Sequence, residues 1–184
     1  MAYRLEENPP ITFPDHVLES EQNGELWWVA HTKSRREKVL AKLLLREGIG
    51  YFLPLVRKRF RRHGRTRISI VPLFSGYVFL KGSRIDRYRA LRTDHVASTI
   101  EVFDQDRLTS ELRQIKAALC LDAPLELFPF VEGGKRVRIV EGPFTGLEGM
   151  VQRRKGADRL ILSVEAIQQA VSLEIDADWV EPVS

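Results

Sequence analysis

Residues 134–151 read GKRVRIVEGPFTGLEGMV, and no other stretch of the chain limits its fold so strongly. From Lys135 to Val140 cations alternate with Val and Ile, the pattern of a strand with one face on a core. Gly142, Gly146 and Gly149 mark backbone that turns tightly or lies close against another strand. Pro143 fixes one turn, and Phe144 gives a small β-domain a large apolar contact. An all-β module is therefore expected at the C-terminal end. Its plainest alternative is an ordinary hairpin of some small β-domain.

The chain has 184 residues, room for two small domains or one of ordinary size. Apolar residues make up 43%, enough for a core, and no apolar run approaches the roughly 18–20 residues of a membrane span. The N-terminal residues lack a basic start and an apolar stretch, so no secretory signal is read there. Cys120 is the single cysteine, which excludes an intrachain disulfide and fits a reducing, cytoplasmic setting.

Charge is unevenly placed. Residues 57–67 (RKRFRRHGRTR) hold seven Arg and Lys and no acid, while the whole chain is only +4. The rest of the chain is thus acidic, and the excess forms one local footprint suited to a polyanion. The bland alternative is a solvated charge run. Apolar stretches on both sides argue against a disordered tail.

Residues 1–24 carry Pro9, Pro10, Pro14 and Asn23-Gly24 with few apolar residues, and read as a flexible leader. A strand is expected at 26–30, then a helix over 34–47 with a Ser34–Glu37 capping box and a stop at Gly48. Strands follow at 49–56 and 68–71, with His63-Gly64 as a hairpin tip between them. Further strands are expected at 74–80 and 96–103, and helices at 83–91 and 109–119. The second of these carries Leu108, Leu112, Ile115 and Leu119 along one face. Domain limits follow: leader 1–24, first domain 25–122, linker 123–131, β-module 132–184.

No catalytic constellation is present. His16, His31, His63 and His95 are scattered, and Cys120 has no CxxC partner, so no metal site is expected. Gly133-Gly134-Lys135 lacks the upstream glycine and the following Ser/Thr of a phosphate loop. Ser75 lacks the first glycine of a nucleophile elbow. The chain reads as a non-enzyme with no cofactor.

Trp27-Trp28-Val29 before the first helix, FLPLV at 52–56, FSGYVFL at 74–80 and the 134–151 segment together resemble the NusG family of transcription elongation factors. The 134–151 segment itself resembles the KOW motif. Ser75 stands where the family's central strand has proline. The resemblance implies an α+β fold: an N-terminal NusG-type antiparallel sheet with flanking helices, then a small SH3-like KOW β-barrel. It further implies an apolar pocket that binds the RNA polymerase clamp, with Trp28, Phe74, Tyr77, Phe79 and Val102 at matching positions. Ordinary core packing is the competing role for each. Arg87 and Tyr88 match the region that touches the opposite pincer of the polymerase. Arg61, Arg62 and Arg65 at the hairpin tip, with Lys33, Arg36 and Arg46 around the first helix, match positions beside the DNA of the transcription bubble. Bridging the clamp over the DNA channel implies processive antitermination by a monomer, with no bond made or broken.

General members of the family carry a Phe-Gly-Arg-x-Thr-Pro loop that contacts Rho or a small-subunit ribosomal protein. Here Ile167-Gln168-Gln169-Ala170-Val171-Ser172 takes its place, without the aromatic, the glycine or the proline. Phe144 and Ile167 remain as partner-binding candidates of the KOW module. The loss points to a specialised, operon-selective antitermination paralogue. The alternatives are a general NusG factor coupling polymerase to Rho or the ribosome, and a ribosome-associated KOW protein that binds RNA.

Overall fold

In a computed structural model, residues 8–19, 24–62, 64–130, 133–154 and 156–183 are described. The chain divides into two compact units, Met1–Gln105 and Asp106–Ser184.

The first unit is built on a five-stranded antiparallel sheet. Its strands are β1 (Thr12–Phe13), β2 (Leu26–Thr32), β3 (Gly50–Phe52), β6 (Tyr77–Gly82) and β7 (Val96–Glu101). They lie in the order β1-β3-β6-β2-β7. Between β3 and β6 the chain leaves the sheet as a separate two-stranded ribbon, β4 (Leu55–Arg62) and β5 (Arg65–Pro72). Helices α1 (Glu37–Glu47) and α2 (Arg84–Arg92) complete the unit. Because β2 alternates, its residues divide between two faces. Trp28 and Ala30 join Leu40, Ala41 and Leu44 of α1 and Tyr51, Val78 and Leu80 of the sheet in one buried cluster.

Several boundaries differ from the sequence reading for local reasons. The strand expected at 49–56 is interrupted at Leu53-Pro54, since proline cannot donate to a ladder. The strand expected at 74–80 starts only at Tyr77, because Gly76 turns the chain with φ 87°. The first helix forms, but the capping box does not: Arg36 is its N-cap, with no side-chain capping bond. Glu37 instead accepts the Gly76 N–H at 2.7 Å. Gly48 ends the helix in the left-handed region, as its position suggests. The capping box occurs at α2, where Ser83 and Asp86 bond reciprocally.

The flexible leader does not extend over residues 8–19. Thr12 and Phe13 pair with Phe52 and Tyr51, and Val17 and Leu18 are fully buried. The Tyr51 hydroxyl donates to the Pro10 carbonyl at 3.1 Å, and burial pushes its pKa up to about 12. Ile11 and Phe13 supply apolar surface that packs on the core, which composition alone understates.

Helix α3 (Gln105–Cys120) buries Leu108, Leu112, Ile115 and Ala118, and leaves Leu119 half-buried. From Asp106 onward it groups with the second unit rather than with the first domain expected to hold it. The reason lies in its polar side chains. Gln114 accepts the Glu148 N–H at 2.9 Å, Glu111 accepts the Glu165 N–H at 3.2 Å, and Arg107 pairs with Glu165. Burial outweighs these partners and raises the Glu111 pKa.

The second unit also holds a six-stranded antiparallel sheet. Its strands are β8 (Glu126–Phe128), β9 (Arg136–Ile139), β10 (Glu148–Arg154), β11 (Ala157–Val164), β12 (Gln169–Ile175) and β13 (Val180–Pro182). The order β13-β9-β10-β11-β12-β8 leaves short strands at both edges and does not close on itself. A closed barrel was the expectation; three-residue edge strands supply too few ladder bonds to complete one.

Candidate nucleic-acid interface

The ribbon is the most concentrated charge on the chain. Its register pairs Arg57 with Ile70, Lys58 with Ser69, Arg59 with Ile68, Phe60 with Arg67, Arg61 with Thr66 and Arg62 with Arg65. Directly opposed residues share a face and successive residues do not. Arg57, Arg59 and Arg61 therefore lie on one face with Ile68 and Ile70. Lys58 and Phe60 lie on the other with Arg65 and Arg67. Among the described residues none of these six cations has a carboxylate partner, and Arg57, Lys58, Arg59, Arg61, Arg65 and Arg67 are all exposed. Phe60 and Ile68 are exposed as well, and Lys58 Nζ sits 6.0 Å from the Phe60 ring centre. The Arg62 side chain and His63 at the expected tip fall outside the described residues.

At the ribbon's base, a groove of about 470 Å³ opens toward α1, lined by Arg35, Lys38, Lys42, Phe60, Ile70 and Pro72 among others. Lys38 Nζ donates to the Ile70 carbonyl at 2.5 Å. Burial, then repulsion from Lys42, lowers its pKa, although Glu37 acts the other way. Of the remaining candidate DNA contacts, Arg36 and Arg46 are exposed, whereas Lys33 is engaged with Asp94. Arg35, Lys38 and Lys42 carry no motif in the sequence. Only the ribbon folding over α1 reveals them.

The aromatic candidates do not converge. Trp28 opposes Leu80 and Val29 opposes Phe79, so Trp28 and Phe79 point to opposite faces of the sheet. Phe79 meets Phe74 edge-on at 6.3 Å and Phe52 at 6.1 Å, and Tyr77 meets His31 at 5.2 Å. Trp28, Phe74 and Phe79 are buried; Tyr77 and Val102 are half-buried. The Arg87 guanidinium lies 4.6 Å over the Trp28 ring, and its Nε donates to Thr99 at 2.8 Å. Tyr88 is 61% exposed. A further polar link was not legible in the sequence. Gln105 accepts the Trp27 N–H at 2.6 Å and donates to the Trp27 and Val102 carbonyls, fixing the end of β7 beside β2.

In the second unit the glycine pattern has a geometric basis. A Cβ on Gly142 would lie 2.5 Å from the Trp179 ring, and one on Gly149 would lie 2.5 Å from the Ile161 carbonyl oxygen. Gly146 has φ 94° with open space around it, so its requirement is conformational. Phe144 is half-buried. Ile167 is buried in the 3-10 turn Glu165–Ile167, and Gln168 follows in the left-handed region at φ 51°. Ile167 therefore offers no face to a partner.

Residues 25–113 match the family model described as transcription termination factor nusG. This segment is similar to the NusG family. Over 188 aligned residues it is 25% identical to the transcription termination/antitermination protein NusG of Borreliella burgdorferi (strain B31). That alignment covers 85% of this chain and 98% of the relative. It reaches beyond the family segment into the second unit. NusG-family proteins are transcription factors, which sets the reading of the basic ribbon. Among the described residues no group of three or more His, Cys, Asp or Glu could hold a metal ion. Among the described residues no helix is long and apolar enough to cross a membrane.

Proposed function

We propose that this protein is a NusG-family transcription elongation factor of the antitermination type, acting on RNA polymerase while its ribbon holds DNA of the transcription bubble. The carrying observation is the ribbon itself: six exposed cations without carboxylate partners, projecting from a domain that matches the NusG model. Arginines suit a place beside melted DNA because they pair with phosphates and stack on unpaired bases. In this reading the first unit contacts the polymerase clamp through the sheet face of Tyr77 with Val102, Phe74 and Phe79 backing it. Tyr88 reaches the opposite pincer, and Trp28 and Arg87 serve as packing beneath it.

The second unit acts as the KOW module of the family. Its turn at residues 165–168 passes directly into β12, where Ala170 pairs with both Ser163 and Phe128. That pairing leaves no projecting aromatic loop, which supports weak Rho binding and a specialised, operon-selective role. The general-factor reading requires tight Rho binding, so calorimetry of the full chain with Rho separates the two.

The test of the central proposal uses reconstituted elongation complexes. Arg61, Arg62 and Arg65 changed together to Ala should reduce crosslinking to DNA while the protein still co-purifies with polymerase. Unchanged crosslinking and unchanged suppression of pausing would reduce the ribbon to a solvated surface.

A further inference from the structure

Both faces of the ribbon are cationic, and that is unusual for an arm that lies along a single backbone. One face would then meet phosphate while the other faced solvent, and cations would be needed on one side only. Here three lie on each: Arg57, Arg59 and Arg61 against Lys58, Arg65 and Arg67. We propose that the ribbon enters the major groove of the duplex DNA that borders the transcription bubble, edge-on, each triad facing one of the two phosphate backbones. This rests on the nucleic-acid reading of the ribbon and names its substrate class.

The dimensions agree. Alternate residues of a strand recur about every 6.6–6.8 Å, close to the axial rise of two phosphates of one DNA strand at about 3.4 Å each. The B-form major groove is about 12 Å wide and admits a two-stranded ribbon, whereas the minor groove, about 6 Å wide, does not. A-form RNA has a deep, narrow major groove that side chains cannot read, so double-stranded RNA is a poor fit. Phe60 and Ile68 are exposed on opposite faces among the cations, where the apolar sugar walls of the groove would meet them. At the ribbon's base, Arg35, Lys38 and Lys42 add cations beside Phe60 and Ile70 in the adjoining groove.

The experiment measures anisotropy of the full chain on a duplex, on single strands of equal length, on a forked junction and on duplex RNA, each across a salt series. Duplex DNA, and the fork through its duplex arm, should bind at least tenfold tighter than single strands or duplex RNA. Replacing Arg57, Arg59 and Arg61 with Gln, or Lys58, Arg65 and Arg67 with Gln, should lower the salt slope by about 2.7 in each case. From 50 to 200 mM salt that removes about a 40-fold change in affinity per triad. Guanine N7 atoms, which face the major groove, should be protected from methylation by the native chain and by neither variant. Circular dichroism verifies that both variants remain folded. Loss of slope confined to one triad, tighter binding to single strands or to RNA, or unprotected N7 atoms would overturn groove entry while leaving the ribbon a nucleic-acid contact. If neither triad changes DNA binding at all, the parent reading fails with it.

Discussion

Replacing Glu37 tests how the first helix is coupled to the central strand. The carboxylate is almost fully buried and accepts the Gly76 N–H at 2.7 Å, just before Tyr77 opens β6. Gly76 is itself held on its other side, its carbonyl accepting the Thr32 N–H at 2.8 Å. A hydrogen bond to a charged group contributes about 1.5–3 kcal/mol, and an acid in the first turn of a helix adds about 0.3–1 kcal/mol. Glu37→Ala removes both and leaves a donor without its acceptor, so about 2–3 kcal/mol of local stability should be lost. Glu37→Gln keeps an acceptor oxygen and should cost about 1 kcal/mol. Because the chain has two units, a single unfolding midpoint is a poor readout. Native-state hydrogen exchange resolves the site directly. The Gly76 amide should exchange about 30-fold faster or more in Glu37→Ala, since 1.4 kcal/mol is tenfold. The Thr32 amide should follow it, while amides of β10 and β11 should not change. Equal protection of Gly76 in the native and Ala chains would refute the argument and return Glu37 to a solvated helix end.

Two further outcomes concern the second unit. Gly149→Ala places a methyl against backbone, the Ile161 carbonyl, and should expose β10 and β11 to exchange at a cost of about 1–3 kcal/mol. Asn at 149 should be worse than Ala, whereas at Gly146, where φ is 94° and space is open, Asn should be better tolerated than Ala. The same tolerance at both positions would defeat the distinction. For Glu111, whose pKa is raised above the ordinary carboxyl value of 4.5, the folded state binds the proton more tightly than the unfolded state. Stability of the second unit should therefore fall as pH rises from 4.5 through the folded pKa, and the loss persists above it. Glu111→Gln should flatten that dependence in exchange measurements; an unaltered pH profile would assign the slope to other groups.

Much of the fold was legible because periodicity and punctuation agree. Leu40 and Leu44 predict the buried face of α1, and Gly48 stops it where a left-handed residue is required. The basic run reads as a hairpin because it is bracketed by apolar strands, and the register bears this out. What was not legible depends on contacts distant in sequence. Ser34-x-x-Glu37 has the spacing of a capping box, yet Arg35 at φ 59° turns the chain so that Glu37 serves Gly76, 39 residues away. Pairing of Thr12 and Phe13 with β3 likewise needs a partner that composition does not reveal.

The candidate site divides along the same line. The six described cations of the basic run are all exposed, and sequence density alone located the ribbon. Aromatics are ambiguous, because a strand sends successive rings to opposite faces and only its neighbours decide which face is covered. Trp28 and Phe79 match the same family pocket, but their partners Leu80 and Val29 place them back to back across the sheet. A contact surface made by both would need the sheet to be open on two sides at once, and both rings are buried. The polar bracket of Gln105 on Trp27 strengthens this, since it fixes β2 against the end of β7 and with it the side to which each ring points. The proposed contact with a protein partner therefore rests on the half-buried Tyr77 and the exposed Tyr88 rather than on the large buried rings.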